Sequence, residues 1–241
     1  MALEWTAAEG LTDAELEALR TLDWNTAEEI YHIRHRSVYR ARLVDREVAI
    51  KEVRFLRFRQ RVRLRYFCSS KAVFEFETAS RLYKRKPITP KPLAFGHDQT
   101  LLGLKRDLQV YQWLPEANTL TDCVRAGERP WETLVPFLWD CASLGLVHGG
   151  HSSENLMHSE GRWWVIDLAD ASLRDGIDQP GFVRDVARIA RKLIREEAAD
   201  EDTVDAFVRA VTDEQGPITI TAEEIRAAMA TLLHDASRRK G

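Results

Sequence analysis

Asn155 and Asp167 are the residues of this chain whose types and setting best suit a hard cation. The first stands in Val147-His148-Gly149-Gly150-His151-Ser152-Ser153-Glu154-Asn155-Leu156-Met157, the second in Val165-Ile166-Asp167-Leu168. A loop amide and a strand-end carboxylate can ligate one cation from two sides. Mg²⁺ takes one or two such oxygens together with phosphate oxygens. Taken singly, Asn155 reads as a turn residue and Asp167 as a helix cap. Together, around a hairpin that follows a long helix, they read as a metal site. A second set lies upstream. Val48-Ala49-Ile50-Lys51 puts a lysine inside an apolar strand, where a lone lysine is ordinarily a solvated edge residue. Glu75 follows on a helix, and a carboxylate there can hold the ammonium against a phosphate. Glu77 is the alternative. Glu75 is preferred because Ala79 and Leu82 follow four and seven residues on, the apolar face a packed helix needs.

The elements that must position these groups are legible from the pattern. Thr12 with Glu15 and Thr26 with Glu29 fit capping boxes, predicting short helices near 12–21 and 26–31. Val38–Leu43 and Glu47–Phe55 read as a hairpin. Val73–Tyr83 has helical spacing, and Pro87, Pro90 and Pro92 then force extended chain. Leu101–Leu104 and Gln109–Leu114 read as strands. Beyond Pro115 the pattern turns helical over 119–126 and 131–145. A small hairpin, Asn155–His158 with Trp163–Leu168, precedes helices near 181–197, 202–212 and 222–235, the last capped by Thr221 and Glu224. Strands with one helix, then helices with one hairpin, predict an α+β chain of two lobes, 1–115 and 116–241.

Composition bounds the class. With 241 residues, 44% hydrophobic and 30% charged, the chain can bury a core unaided, which excludes disorder, collagen and coiled coil for the whole. Cys68, Cys123 and Cys141 make neither a disulfide framework nor zinc spacing, so they read as reduced thiols. The acidic N-terminus has no signal-peptide pattern, and no apolar run spans a membrane. The expected setting is cytoplasmic, compatible with peripheral contact at a membrane surface. The net charge of −3 averages a strong asymmetry: residues 34–91 hold 18 Lys and Arg against 5 Asp and Glu. Six arginines fall within residues 54–65. Arg57, Arg59, Arg61, Arg63 and Arg65 alternate with Phe58, Gln60, Val62 and Leu64, a period of two that predicts a strand with one cationic face. Such a run is ordinarily a solvated face, but guanidinium groups also bind phosphate bidentately. A phosphorylated sugar-lipid or an anionic membrane suits it; nucleic acid suits it less, because no nucleic-acid motif accompanies the run.

These residues resemble the protein-kinase-like superfamily, nearest the bacterial lipopolysaccharide core kinases that phosphorylate heptose or Kdo sugars. The resemblance runs through Arg36–Ala41 and Ala49-Ile50-Lys51, then Glu75 to Pro90-Lys91-Pro92-Leu93-Ala94-Phe95-Gly96, Trp113-Leu114-Pro115 with Thr119-Leu120, His148–Met157, Ile166-Asp167-Leu168, and Arg184-Asp185-Val186-Ala187-Arg188. It covers roughly residues 30–195, on motifs that stand in the family's order. It implies a bilobal kinase-like fold, ATP and Mg²⁺ as cofactors, and an anionic sugar or glycolipid as acceptor. Lys51 would contact the α/β-phosphates, with Glu75 orienting it and Trp113 at the hinge beside the nucleotide. Asn155 and Asp167 would bind Mg²⁺, and Asp185 would brace the loop.

Two departures stand out. The family's catalytic aspartate position is Gly150, so the group that accepts the substrate proton is missing. The phosphate-covering loop, Ile33-Arg34-His35-Arg36-Ser37-Val38, has no glycine. Phosphoryl transfer relies chiefly on positioning and electrostatics, so a slow enzyme survives the first loss, with His151 as a substitute base. A loop histidine is more often structural. The other reading is a catalytically impaired pseudokinase that binds nucleotide or a partner.

Overall fold

The computed structural model describes residues 3–24, 26–66, 70–214 and 216–238, with side-chain surroundings through 232. Cys68 lies outside them. The chain divides into two compact units, Met1–Leu114 and Pro115–Gly241.

The first unit is built on one antiparallel sheet. In chain order its elements are β1 (Glu4–Ala7), α1 (Asp13–Arg20), β2 (Glu28–Ile33), β3 (Arg36–Leu43), β4 (Arg46–Arg54), α2 (Phe58–Tyr66), α3 (Lys71–Arg85), β5 (Pro92–Thr100) and β6 (Gly103–Gln112). The strands lie in the order β1-β5-β6-β4-β3-β2. Alternation sorts β4 into two faces. Val48 and Ile50 are buried with Leu19, Ala41, Leu43, Leu93, Leu108 and Val110 in one core. Each such aliphatic side chain contributes about 1.5–3 kcal/mol. Lys51, next along β4, points to the other face, where its register partner Gln109 donates Nε2 to the Ala72 carbonyl of α3 at 2.6 Å. The Thr12–Glu15 capping box forms at the start of α1.

Three expectations are corrected here. Residues 26–31 make no helix. Glu28–Ile33 pairs with β3, and Thr26 Oγ1 donates to the Asp23 carbonyl at 2.8 Å. A capping signature is short, and an open sheet edge outweighs it. Leu101 and Leu102 form the turn between β5 and β6, so the expected strand over Leu101–Leu104 is a strand only from Gly103.

The third correction concerns the arginine run, which is the helix α2 and not a strand. Arg, Gln and Leu are good helix formers, and Val62 is the one β-branched residue of the segment. Both edges of β4 are already taken by β3 and β6, so no strand can add beside it. The half-buried residues Arg61, Val62, Leu64 and Arg65 follow helical spacing, and the cations spread around the helix instead of lining one side. The helix seats on the start of β6: a Cβ at Gly103, which has φ +119°, would lie 2.6 Å from the Arg61 carbonyl carbon. Tyr66 Oη donates to the Leu101 carbonyl at 2.9 Å.

The second unit holds β7 (Asn118–Thr119), α4 (Leu120–Arg125), α5 (Trp131–Ser143), β8 (Leu146–Val147), β9 (Leu156–Ser159), β10 (Arg162–Val165), β11 (Ser172–Leu173), α6 (Gln179–Arg195), α7 (Glu201–Asp213) and α8 (Ala222–Arg238). The predicted helices and the small hairpin are all present. Phe182, Val183, Val186, Ile189, Ala190 and Leu193 form a buried stripe along α6, with Trp139 packed at a tilt against Phe182 and Trp131 against Phe207 at centroid separations of 4.4 and 5.0 Å. Cys123 and Cys141 are buried and form no disulfide. Burial pushes the Cys123 thiol up to about 11. No helix among the described residues is long and apolar enough to cross a membrane.

Candidate active site

In the first unit, Lys51 donates from Nζ to both carboxylate oxygens of Glu75, at 2.7 and 2.9 Å. Side-chain exposure is 18% for Lys51 and 5% for Glu75. The helix decides between the two glutamates. Glu75 shares the buried face of α3 with Ala72, Ala79 and Leu82, whereas Glu77 is exposed. Trp113 follows β6 directly and is half-buried, with the Arg40 guanidinium 5.0 Å from its ring centroid. The glycine-free loop is a tight turn at Arg34 and His35 between β2 and β3. Arg34 has φ +53°, and the His35 carbonyl accepts from Arg54 N at 2.8 Å.

Behind β4, on its other face, lies a carboxylate that the sequence reading passed over. Glu52 is 1% exposed and meets Arg54 at 2.8 Å and Arg106 at 2.9 Å. Burial alone would raise its carboxyl, but the hydrogen bonds of the two guanidinium groups outweigh it and hold the carboxyl below the ordinary range. The signal was available, because Glu52 continues the buried alternation of Val48 and Ile50.

In the second unit, the residues from His148 to Asp170 form one hydrogen-bonded assembly. β8 pairs with β11, Val147 opposite Ser172, so the loop after Val147 and the turn before Ser172 lie side by side. Asp185, on the buried face of α6, reaches under the loop. It accepts the backbone N–H groups of His148 at 2.7 Å and Gly149 at 3.2 Å, and the Arg188 guanidinium at 3.1 Å. Burial would raise the Asp185 carboxyl, but His151, the His148 backbone N–H and the His148 imidazole together hold it below its ordinary value. The His148 ring is fully buried, with Nε2 2.9 Å from the Ile166 carbonyl. A carbonyl only accepts, so Nε2 carries the proton. Burial, with His151 adjacent, pushes the His148 imidazole down to about 4.

Asn155 ends the loop. Its Nδ2 donates to the Gly150 carbonyl at 3.1 Å, and its own carbonyl accepts Ile166 N at 3.0 Å. The second bond sets Asn155 and Asp167 at the same end of the β9–β10 hairpin. Asp167 has φ +56° and ψ +60°, a left-handed conformation for a non-glycine residue that aspartate tolerates better than most.

His151 is placed otherwise than expected. It is 5% exposed, its ring stacks on His148 at 4.4 Å, Nδ1 lies 3.8 Å from Asp185 Oδ2, and the side chain lines a small pocket together with Leu138, Phe182 and Ile189. A base must come within about 2.6–3.2 Å of the proton it takes. His151 is a packed residue of the loop's underside, and its candidacy as substitute base is withdrawn. Arg59, Arg61, Arg63 and Arg65 sit on α2 in the first unit and Arg57 directly precedes it, with Arg57, Arg59 and Arg63 exposed and Arg61 and Arg65 half-buried.

No family model and no curated protein matches the sequence. Among solved structures, that of WaaP in complex with acyl carrier protein matches at a TM-score of 0.57 and 16% identity, over 98% of this chain and 97% of that one. The match spans both units, the antiparallel sheet with its Lys51–Glu75 pair and the helical part with its loop and hairpin: the chain has the α+β, kinase-like fold of WaaP.

Proposed function

We propose that the protein is an ATP- and Mg²⁺-dependent phosphotransferase that phosphorylates a hydroxyl of an anionic sugar or glycolipid. The observation that carries this reading is the Lys51–Glu75 ion pair, a lysine held two-pronged by a buried carboxylate in a kinase-like sheet. A lysine so oriented presents its charge to nucleotide phosphates. Trp113 offers a flat apolar wall to a nucleotide base. The donor set of the second unit fits Mg²⁺. Among the described residues no three His, Cys, Asp or Glu gather to hold a metal alone, so Asn155 and Asp167 would share the ion with phosphate oxygens, the coordination Mg²⁺ prefers. When bound, the ion supplies charge neutralisation on the transferring phosphoryl group. Asp185 keeps the loop in place by holding two of its N–H groups.

The arginines of α2 support an anionic acceptor, with the reaction at the cytoplasmic face of the inner membrane. WaaP is solved with acyl carrier protein, so a carrier protein is also a proposed partner. Gly150 favours a second reading, a pseudokinase that binds nucleotide without transferring phosphate. Calorimetry with ATP and Mg²⁺, on the wild type and on Asp167→Ala, tests the nucleotide half, and transfer of labelled γ-phosphate to lipopolysaccharide core tests the rest. The phosphotransferase reading expects Mg²⁺-dependent binding, lost in Asp167→Ala, and label in the acceptor. Binding without any turnover establishes the pseudokinase instead.

A further inference from the structure

Gly149 and Gly150 both face Asp170, and they do so differently. At Gly149 the backbone has φ +73°, and a Cβ there would run into the Asp170 carbonyl oxygen, so the site excludes a side chain. At Gly150 the backbone is not left-handed, and a Cβ would meet nothing closer than 3.9 Å. Two of the atoms at that limit are Asp170 Oδ2 and His148 Nδ1, both at 3.9 Å. The position has room for a side chain, and the Asp170 carboxylate lies at van der Waals distance from where that side chain would begin.

The neighbouring backbone holds this juxtaposition. Asp185 fixes the N–H groups of His148 and Gly149, and Asn155 fixes the Gly150 carbonyl. Val147 pairs with Ser172, and Ala171 N bonds the Leu168 carbonyl at 3.1 Å, which sets Asp170 in a tight turn opposite the two glycines. Asp170 is exposed, as a group that meets a substrate must be, whereas His151 is buried.

We propose that Asp170 is the catalytic base, supplying from the turn after Asp167 the carboxylate that Gly150 lacks. This rests on the phosphotransferase reading. In the step, the acceptor hydroxyl gives its proton to the Asp170 carboxylate. The acceptor oxygen forms a bond to the γ-phosphorus of a nucleoside triphosphate, the bridging P–O bond breaks, and the nucleoside diphosphate leaves with that electron pair. General-base assistance of this kind contributes about 10²–10⁴-fold.

The test compares the wild type, Asp170→Asn, Gly150→Asp and the double variant. Mg·ATP binding is read by calorimetry, and turnover as hydrolysis of ATP with water as acceptor. The proposal expects Asp170→Asn to bind Mg·ATP within about threefold of the wild type and to lose about 10²–10⁴-fold in kcat. Gly150→Asp in the Asp170→Asn background then restores at least about tenfold, because it returns a carboxylate beside position 170. A carboxylate needed only for metal or fold would weaken nucleotide binding in step with kcat and would not be rescued from position 150; either result overturns the assignment. Wild-type turnover that survives Asp170→Asn overturns the base while leaving the phosphotransferase reading standing. A wild type that binds no ATP overturns both.

Discussion

The Asp185 carboxylate accepts the His148 backbone N–H at 2.7 Å across 37 positions of sequence, and it also accepts the Gly149 N–H and the Arg188 guanidinium. Asp185→Ala leaves two loop N–H groups facing a cavity. Each unsatisfied buried donor costs about 1–3 kcal/mol, so the variant loses about 2–6 kcal/mol in urea unfolding. Asp185→Asn, which keeps the shape and one acceptor, loses less.

The buried His148 makes the fold acid-sensitive in a defined window. Its folded-state value is about 4, below the ordinary 6.5. Between those values the unfolded chain binds a proton that the folded chain refuses, so stability is full above pH 6.5 and falls as pH drops towards 4. The total is about 3 kcal/mol. Asp185, also lowered, adds its own loss only below about pH 3.8. Unfolding at pH 7 and pH 5 therefore reads the histidine before the lowered carboxylates of Glu15, Glu52 and Asp185 add their own loss. In His148→Gln, whose amide can still donate to the Ile166 carbonyl, the difference between the two pH values shrinks.

Lys51 and Glu75 are coupled through a partly buried pair. Lys51→Met removes the two-pronged ammonium partner of the Glu75 carboxylate, which is 5% exposed, and costs about 3–5 kcal/mol. Adding Glu75→Gln recovers part of that, because the buried negative charge is gone. A double-mutant cycle by thermal or urea unfolding measures the coupling, and strictly additive losses would contradict it.

Glycines 149 and 150 are neighbours with opposite tolerances. Gly149→Ala forces a left-handed alanine against the Asp170 carbonyl and destabilises by several kcal/mol, on the order of a strained backbone plus a clash. Gly150→Ala stays within about 1 kcal/mol of the wild type. Equal losses in the two variants would rule out the difference in backbone conformation.

The arginine helix answers to its seat on Gly103. Gly103→Val, with φ +119° and the α2 backbone 2.6 Å from its Cβ, unseats α2 while the core around Val48 and Ile50 stays intact. Hydrogen exchange should speed up at Phe58–Tyr66 and remain slow in β4.

Much of this molecule could be read from local pattern. The β3–β4 hairpin, α3, the α5–hairpin–α6 succession and the preference for Glu75 over Glu77 follow from period-two and period-3.6 burial, which each segment carries in its own residues. The failures have a common cause. Thr26–Glu29 carries a cap signature, and Arg57–Arg65 alternates like a strand. Both were decided by where a sheet edge was open: β2 found the edge of β3, while α2 found β4 already flanked and packed as a helix. The inward turn of His151 and the approach of Asp170 to Gly150 were beyond local reading too. They depend on Asp185 and on the β8–β11 pairing, contacts between residues more than twenty positions apart. The sequence by itself determined which chemical groups this protein owns and which segments are helix or strand where burial has one period. Tertiary structure alone decided which carboxylate stands beside Gly150, because that proximity is a property of packing and not of order along the chain.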